Sequence, residues 1–493
     1  MKKRFSLSIA AVLAWATVMS ASAQVTAMSD SVLVLDMDKA LTIALSESPT
    51  IKIADLDVKK KDYSKREAIA GLLPKIDASA SYQRALKKQR MYMSGKSFDI
   101  GAMVGEYLAP IYEALRIPFP GNDESTEGES SSNEGFEVGL DNTYSMGFTA
   151  SLPIIAPQLW KSIEISALDI ENALEAARSS RLSLINQVQK AYYNVLLCQD
   201  AYNVLRIQYN NAKLNAEMYA SQYEQGTASE YDVLRSEVAV RNIEPSLLSA
   251  ENAVKLSNLQ LKVLMGIDAD INVVINDKLE NYEQAMYDIT MSIDRSLDNN
   301  TNLRQLDLQT EMLKKTATLQ KFAYIPTLAA QFSYSWISMS DGNMFENFKF
   351  NPYSTLAVSL NIPIFSGGSR YYKVKQAEAN VAQMGFQRDN LVRSLDMQVE
   401  AQIDAISKSV KQISSNKKGV EQAEKAYAIM QKSFEIGSAT FITLNDAELA
   451  LTSARLSYSQ AIYDFLAGVS DIDLLLGNTD LSKYENKEEK NNK

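Results

Sequence analysis

Residue types that carry most enzyme chemistry are scarce in this chain. The sequence contains no histidine, and Cys198 is its one cysteine. The missing histidine removes the usual general base and a Ser-His-Asp triad, and a single thiol excludes a disulfide framework and a thiolate metal site. An enzyme would have to work with carboxylates, Lys or Tyr, and these show no clustering at a catalytic spacing. We therefore predict no catalytic activity, no cofactor and no bound metal.

A Gly-Gly pair, Gly367-Gly368, stands between a predicted strand and a predicted helix in the stretch "LNIPIFSGGS". A glycine loop at a helix N-terminus can bind a phosphate group. However, no Lys follows the glycines, and the related stretch "SLPIIAPQLW" has no glycine pair. What the two stretches share is a proline, which ends a strand because it has no N–H to donate. We interpret Pro153, Pro363, Gly367 and Gly368 as junctions at which a strand gives way to a long helix.

The composition is that of a folded, exported protein. Of 493 residues, 46% are hydrophobic and 22% charged, and the net charge of -10, without a Lys/Arg block, argues against a nucleic-acid partner. Residues 1–23 form a predicted signal peptide, in which three basic residues precede an apolar run that ends at Ala21-Ser22-Ala23. A transmembrane anchor is the alternative, but the apolar run is short. No later run of 18 apolar residues exists, so only strands remain as membrane-spanning elements.

The remainder of the chain is an internal duplication. "LTIALSESPTIKIADLDVKK" aligns with "RSLDNNTNLRQLDLQTEM" at an offset of 252, and "YEQGTASEYDVLRSEVAV" aligns with "FEIGSATFITLNDAELAL" at 211. We predict a first repeat over 24–288, a second over 289–480 and a charged tail over 481–493. The change of offset assigns extra residues to the first repeat, within a loop at 84–142. Its acidic Ser/Gly-rich stretch, 121–135, cannot build a core and is interpreted as solvated, with cation binding as the alternative.

Each repeat contains two strand patterns in which apolar and polar residues alternate. In all four the apolar side chains have even numbers and the odd positions are mostly polar or small. The predicted strands are 75–84, 143–154, 327–337 and 354–364. This length matches a tilted outer-membrane strand, although a half-buried soluble hairpin would alternate in the same way.

Long stretches without proline follow the strands, at 158–225 and 369–436, and predict helices of roughly 100 Å. Apolar residues recur in the first with the 4-3 spacing of a coiled coil, which the second keeps less regularly. Cys198 lies on this seam, so we interpret it as a packed apolar side chain rather than a reactive thiol. Each long helix turns at a glycine and returns as a shorter helix. The turns and return helices are Gly226 with 230–265 and Gly437 with 441–476.

Four membrane strands cannot close a barrel by themselves. An open sheet edge in lipid leaves backbone N–H and C=O groups unpaired, at several kcal/mol each. Two chains would supply eight strands, whose interior is filled by side chains, whereas three chains would supply twelve and leave an aqueous lumen. If the strands lie in a membrane, a trimer is therefore the smallest conducting assembly.

The order of these motifs resembles the TolC-type outer membrane efflux protein family (outer membrane factors) over nearly the whole mature chain. The matching motifs are "LDMDKALTIALSESP", "LLPKIDASASY", "IPIFSGG" and, in both halves, Y/F-E-x-G-(T/S)-A before the return helix. The resemblance implies a mainly α fold with a membrane β-barrel: four strands plus long coiled-coil helices per protomer. It also implies a trimeric 12-strand barrel that continues as a periplasmic α-helical barrel.

The resemblance further implies an outer membrane channel that serves as a passive exit duct in a tripartite efflux or type I secretion system. Its implied partners are two further copies in a homotrimer, a periplasmic adaptor (membrane fusion) protein, an inner-membrane RND or ABC-type pump reached through the adaptor, and outer membrane lipid. The competing hypothesis is an exported, non-membrane coiled-coil protein with a structural or adhesive role. The cargo stays open.

The same resemblance implies roles for residues near the two glycine turns. Gly226, Thr227, Gly437 and Ser438 would form the periplasmic tips that contact the adaptor. Asp232 matches an Asp that joins the links holding the channel closed. Asp446 matches one member of an acidic ring at the pore constriction, although a solvated helix residue is an equally good interpretation.

This chain departs from the best-studied pattern of that family near the same turns. Phe434 stands where a Tyr would form a hydrogen bond, and Ala439 stands where an Arg would. Thr443 occupies the second constriction position, in place of an Asp. We therefore expect a closing contact of different chemistry and a ring with one Asp per protomer.

Overall fold

The computed structural model describes residues 33–91, 113–115, 136–283, 295–342 and 349–484. The predicted signal peptide (1–23) and the acidic stretch 121–135 lie outside the described residues, as does most of the charged tail. Within the described part, the long loop of the first repeat contains a short antiparallel ribbon formed by Gln89–Met91 and Phe136–Val138.

The chain divides into two compact units. A sheet unit contains Arg66–Ile163 and Thr318–Val374. A helical unit contains Glu164–Ala317 and Lys375–Lys493, together with the chain up to Lys65. Each unit takes segments from both predicted repeats. The two units therefore separate strands from long helices and do not correspond to the two repeats.

Seven helices and eight strands are described below, numbered in chain order. The helices are α1 (Met37–Glu47), α2 (Pro49–Ala70), α3 (Pro157–Glu224), α4 (Glu230–Met265), α5 (Thr301–Phe322), α6 (Ser369–Glu435) and α7 (Phe441–Leu476). The strands are β1 (Leu33–Leu35), β2 (Lys75–Arg84), β3 (Gln89–Met91), β4 (Phe136–Val138), β5 (Asn142–Ile155), β6 (Val273–Ile275), β7 (Thr327–Ser340) and β8 (Asn351–Asn361). The long helices α3 and α6 have 68 and 67 residues, as the sequence predicted to within one residue.

No helix among the described residues combines the length and the apolar character that crossing a membrane requires.

The sheet unit contains a four-stranded antiparallel sheet in the order β2-β5-β7-β8. Its register joins even residues to even residues across each pair of strands up to the irregularity after Pro153, for example Ile76 to Ala150, Phe148 to Tyr334 and Phe332 to Leu356. Because directly paired residues point to the same face of a sheet, the even-numbered apolar side chains share one face. The predicted alternation is thereby confirmed.

Aromatic pairs lie on this even face. The rings of Tyr82 and Tyr144 stack with centroids 4.8 Å apart, and the edge-to-face pair Tyr334–Trp336 has a centroid distance of 4.7 Å. Around these rings the apolar face is open: Ile76 is 72% exposed and Leu356 is 76% exposed in the protomer. An apolar sheet face that its own chain does not cover is a surface for lipid or for another apolar partner.

The core of the helical unit lies where the long helices pack side by side. Val188 and Val195 of α3, Leu261 of α4 and Phe465 of α7 are fully buried there. Burying one such side chain stabilises the fold by about 1.5–3 kcal/mol. The predicted seam is confirmed in this part of α3, where Leu184 and Ala191 are buried as well. The short parallel pair β1–β6 adds Leu35 and Ile275 to the same cluster.

Cys198 is half-buried on that seam, and burial raises the pKa of its thiol. A raised pKa keeps the sulfur protonated and poorly nucleophilic. The interpretation of Cys198 as a packed apolar side chain agrees with this environment.

Candidate functional site

The two turns that join long and return helices have the same geometry. Gly226 and Gly437 adopt φ values of 74° and 77°. The next N–H groups, of Thr227 and Ser438, each reach a carbonyl five residues back, at 2.8 Å. This is the glycine-terminated helix end in which backbone N–H groups satisfy the last helical carbonyls. All four residues are exposed.

These turns require glycine because of the left-handed backbone conformation, and not because a side chain would lack room. A side-chain carbon at Gly226 or Gly437 would meet no atom within 4 Å. The left-handed conformation, however, is unfavourable for a residue that carries a Cβ, by roughly 1–2 kcal/mol. The turns therefore resist substitution through strain alone.

Asp232 has a local structural role in this structure. The hydroxyl of Ser229, the residue before α4, donates to a carboxylate oxygen of Asp232 at 2.6 Å, and the Asp232 N–H donates back to that hydroxyl at 3.2 Å. The Ser229 N–H also donates to that carboxylate oxygen, at 3.4 Å. Together with the Asp232 N–H contact it forms a capping box, which satisfies free N–H groups at the start of a helix. The predicted role of Asp232 in a closing link stays a prediction, and its carboxylate already has this partner.

Thr443 occupies the corresponding place at the start of α7. Its N–H donates to the Thr440 hydroxyl at 3.4 Å, and its own hydroxyl donates to the Thr440 carbonyl at 2.8 Å. A threonine can cap in this way but brings no negative charge to the helix N-terminus. The two turns therefore share their backbone and differ in charge.

An aromatic cluster lies beside these turns. The Tyr219 ring lies 6.3 Å from the ring of Phe434 and 5.6 Å from that of Phe441, measured between centroids. Burial raises the pKa of the Tyr219 phenol, so it stays neutral. Where a Tyr at position 434 would offer a hydroxyl group, Phe434 offers ring packing. The expectation of a closing contact with different chemistry stays a prediction.

Asp446 lies three residues beyond Thr443 on α7. It lines a cavity of about 240 Å³ between α4 and α7, together with Arg235, Asn242 and Phe441. Its carboxylate is exposed and makes no hydrogen bond to any other residue that the structure describes. Asp232 and Thr443 do not line this cavity, although Thr443 lies three residues before Asp446 on α7 and so neighbours it on the helix surface.

The strand-to-helix junctions differ from the prediction in detail. Pro153 does not end its strand, because β5 continues to Ile155 with an irregular register after Pro153. Pro153 pairs with Ala329, and a bulge of this kind accommodates a residue without an N–H. Pro363 follows β8, which ends earlier, at Asn361.

At the second junction the glycines and an arginine complete the connection. Gly367 and Gly368 have φ values of 61° and 83°, and α6 begins immediately afterwards. Arg370 donates to the Pro363 carbonyl at 3.0 Å and lies over the Tyr324 ring at 5.9 Å. The Arg370 guanidinium, the cation next to the glycines, is therefore already bound by protein groups. This supports a structural connection between strand and helix rather than an anion-binding site.

Sequence reasoning missed a buried carboxylate, Glu448. It is 6% exposed, and it accepts a hydrogen bond from the Asn211 amide at 2.8 Å. Burial raises the pKa of this carboxyl. Its spacing was visible in the sequence, because Glu448 lies four residues after Leu444 and three before Leu451, on the buried seam of α7. A charged residue at an apolar seam position was the available signal.

Both edges of the four-stranded sheet are open within the protomer. Every residue of β2 and of β8 is exposed, and each strand has a neighbour on one side only in the described sheet. The outer backbone groups of these strands therefore have no strand partner in the described part of the chain.

Comparison with known proteins identifies relatives for nearly the whole chain. The profile of the family described as outer membrane efflux protein matches residues 40–267 and 292–478. Outer membrane protein TolC of Vibrio cholerae is 22% identical over 335 residues, which cover 68% of this chain and 76% of that protein. The alkaline protease secretion protein AprF of Pseudomonas aeruginosa is 23% identical over 313 residues, covering 63% of this chain and 65% of AprF.

Solved structures share the fold. The CmeC outer membrane channel of Campylobacter jejuni superposes with a TM-score of 0.67 at 17% identity, covering 92% of this chain and 89% of CmeC. The open state of the MtrE outer membrane channel of Neisseria gonorrhoeae gives 0.64 at 16% identity, covering 90% and 88%. At these identities the likeness establishes the fold, which is that of TolC-like outer membrane channels.

Proposed function

The chain belongs to the outer membrane efflux protein family, and on this premise we propose that it is the outer membrane exit duct of a tripartite efflux or type I secretion system. The duct is passive, since family members are channels, and the driving energy comes from a pump in the inner membrane. The sheet unit lies in the outer membrane, and the helical unit extends the channel into the periplasm.

One observation carries this proposal: a four-stranded sheet with an exposed apolar face and two open edges. The apolar even face fits contact with lipid, whereas the odd positions, such as Ser145 and Ser333, are small and polar and fit contact with water. The open edges of β2 and β8 are unfavourable in lipid, because each unpaired backbone group there costs several kcal/mol. Pairing β2 of one copy with β8 of the next removes both edges.

We infer that the assembly is a homotrimer. Three copies of a four-stranded sheet supply twelve strands, enough for an aqueous lumen, whereas the eight strands of a dimer leave an interior that side chains fill. Strands of 10 to 14 residues suit a tilted membrane barrel.

The glycine turns are the proposed contact with the periplasmic adaptor. Gly226, Thr227, Gly437 and Ser438 are exposed, carry no charge and present two copies of the same backbone shape. An adaptor could therefore bind both turns of a protomer with similar contacts. The pump, of RND or ABC type, would be reached through that adaptor.

A direct test of the proposal is assembly and conductance of the full chain. We expect the protein in the outer membrane fraction, as a heat-modifiable trimer on gels, and as a conducting channel in planar bilayers. Recovery as a soluble periplasmic protein without conductance would contradict the duct and favour the coiled-coil structural or adhesive alternative.

Asp446 is the proposed acidic constriction. Three copies of its exposed carboxylate around a pore would focus a negative potential and favour cations. Asp446→Ala is expected to change the single-channel conductance and weaken the cation preference, measured in planar bilayers with asymmetric KCl. Asp464→Ala, on the same helix, is the matched control, because Gln460 already engages the Asp464 carboxylate at 2.8 Å. Equal cation preference in Asp446→Ala and wild type would exclude the constriction.

A further inference from the structure

A second cavity lies farther along the return helix α7, between α3, α6 and α7. Its volume is about 470 Å³, within the range typical of small-molecule sites. Apolar side chains, Val204, Ile207 and Leu451, line it together with several polar ones. The proposed duct does not use this cavity.

Glu448 supplies a negative group inside the cavity. One of its carboxylate oxygens accepts from the Asn211 amide, and the other has no hydrogen-bond partner among the residues that the structure describes. This second oxygen is open to the cavity, where a donor or a cation can complete its hydrogen bonding.

Gln208 is a second and independent sign of a missing partner. It is 5% exposed and lines the same cavity, yet its side-chain amide makes no hydrogen bond within the described part of the chain. Its amide atoms are not sealed from the solvent of the cavity, so a group bound there can pair with them. The second Glu448 oxygen and the Gln208 side-chain amide therefore both line the cavity without a hydrogen-bond partner in the described part of the chain.

The net charge of the side chains that line the cavity favours a ligand with one positive charge. Arg455 does not neutralise Glu448, because its guanidinium pairs with Glu424 at 2.8 Å. When Glu448 is ionised, the lining carries two carboxylates and one guanidinium, a net charge of -1. Tyr427 is the remaining titratable lining residue, and burial raises the pKa of its phenol, so it stays neutral.

We propose that this cavity binds a small amphipathic organic cation, a primary or secondary amine with an apolar body. The ammonium group donates to the free Glu448 oxygen, and the Gln208 amide is open to a second polar group where a ligand carries one. The apolar body packs on Val204, Ile207 and Leu451. The cavity forms within one protomer, so a trimer has three such sites.

Benzylamine and benzyl alcohol are a matched pair of probes, equal in shape and different in charge. On the full-length protein in detergent, titration followed by saturation-transfer NMR is expected to show saturable benzylamine binding at millimolar concentration. Benzyl alcohol should bind about tenfold more weakly, since a charge-assisted hydrogen bond is worth about 1.4 kcal/mol or more over a neutral one.

Two variants and one control separate the contributions. Glu448→Gln keeps the shape and should lower benzylamine affinity about tenfold, to the level of the alcohol. Ile207→Trp fills the cavity from a half-exposed position and should abolish binding of both probes. Glu237→Gln is the control, because Glu237 is the exposed counterpart of Glu448 in the first repeat, at the offset of 211.

Equal affinity for the two probes, unchanged benzylamine binding in Glu448→Gln, or no saturable binding by the trimer would each overturn the proposal. Bilayer conductance of the same preparations reports on the duct separately, so failure of this site leaves the proposed function intact.

Discussion

The two return helices of the chain begin and end alike, and their surroundings differ. Helices α4 and α7 both have 36 residues, both follow the same glycine turn, and both end at a left-handed glycine, Gly266 or Gly477. Yet α7 buries 13 residues in the protomer, whereas α4 buries five. The two return helices therefore have the same local structure but differ in how much of their surface the rest of the protomer covers.

Large apolar side chains are exposed along α4. Leu248, Leu256 and Val263 are 58%, 68% and 74% exposed. Helix α4 also contains Pro245, whose counterpart in α7 is Leu456. A soluble helix would carry polar residues on its open face, so this surface needs a partner. In the proposed trimer, we expect a neighbouring copy to cover this surface of α4.

The largest effect is expected from a charge on the open face of α4. Leu256→Asp would bury three unpaired carboxylates in a trimer, at several kcal/mol each. We expect loss of the heat-modifiable trimer on gels and in light scattering. Leu256→Ala, which removes apolar contact without adding charge, should weaken the trimer but retain it. A Leu256→Asp protein that assembles normally would show that α4 does not face a neighbour.

The second largest effect is expected on thermal stability, from truncating a core side chain of α7. Phe465 is fully buried, and truncating such a side chain typically costs about 3–5 kcal/mol. Its counterpart in α4 is Val254, which is half-buried. Thermal melting followed by circular dichroism should therefore show a large decrease in midpoint for Phe465→Ala and a small one for Val254→Ala. Similar decreases would mean that the two helices are equally buried after assembly.

The glycine turns should respond equally, because their backbones are the same. Gly226→Val and Gly437→Val each impose about 1–2 kcal/mol of left-handed strain. We expect each to abolish transport, scored as drug or secretion export in cells that lack the native gene, while the trimer still forms. Gly419→Ala, in the ordinary helical backbone of α6, is the control and should preserve transport. Retained transport in both Val variants would show that the turns are not part of the surface that binds the adaptor.

The smallest effect separates the two helix caps. Ser229→Ala should destabilise the start of α4 by about 1 kcal/mol, since the N-cap acceptor and the partner of Asp232 are lost together. Thr440→Ala should have a smaller effect, because the corresponding N–H contact is longer, at 3.4 Å, and carries no charge. Hydrogen exchange of the first turns, read by mass spectrometry, measures both. Ser229→Asn restores an acceptor and should restore protection; equal exchange in the two Ala variants would show that charge at the cap is irrelevant.

Much of the fold could be predicted because its signals are periodic and local. The alternation of β2, β5, β7 and β8 follows from side chains that point to opposite faces in turn. The lengths of α3 and α6 follow from the absence of proline and from the 4-3 spacing. The turns at Gly226 and Gly437 follow from the backbone freedom of glycine.

The junctions and the buried carboxylate could not be predicted in the same way. A proline reads as a strand end, but the bulge at Pro153 lets β5 continue, and a bulge depends on the partner strand β7. The cap that Asp232 forms with Ser229 was not predicted, and the role of Asp232 in a closing link stays a prediction. The importance of Glu448 depends on Asn211 and Gln208, which lie more than 200 residues away in the chain.

The amino-acid sequence by itself determined the element types, the even-numbered apolar face and the two equivalent turns, because periodicity and glycine act through neighbouring residues. The tertiary structure alone decided that α7 is enclosed and α4 is open, although the two helices have the same length and the same ends. It also decided that Glu448 is buried while its counterpart Glu237 is exposed. Burial depends on which distant segments pack against a helix, and a duplicated sequence meets different neighbours in each of its two places.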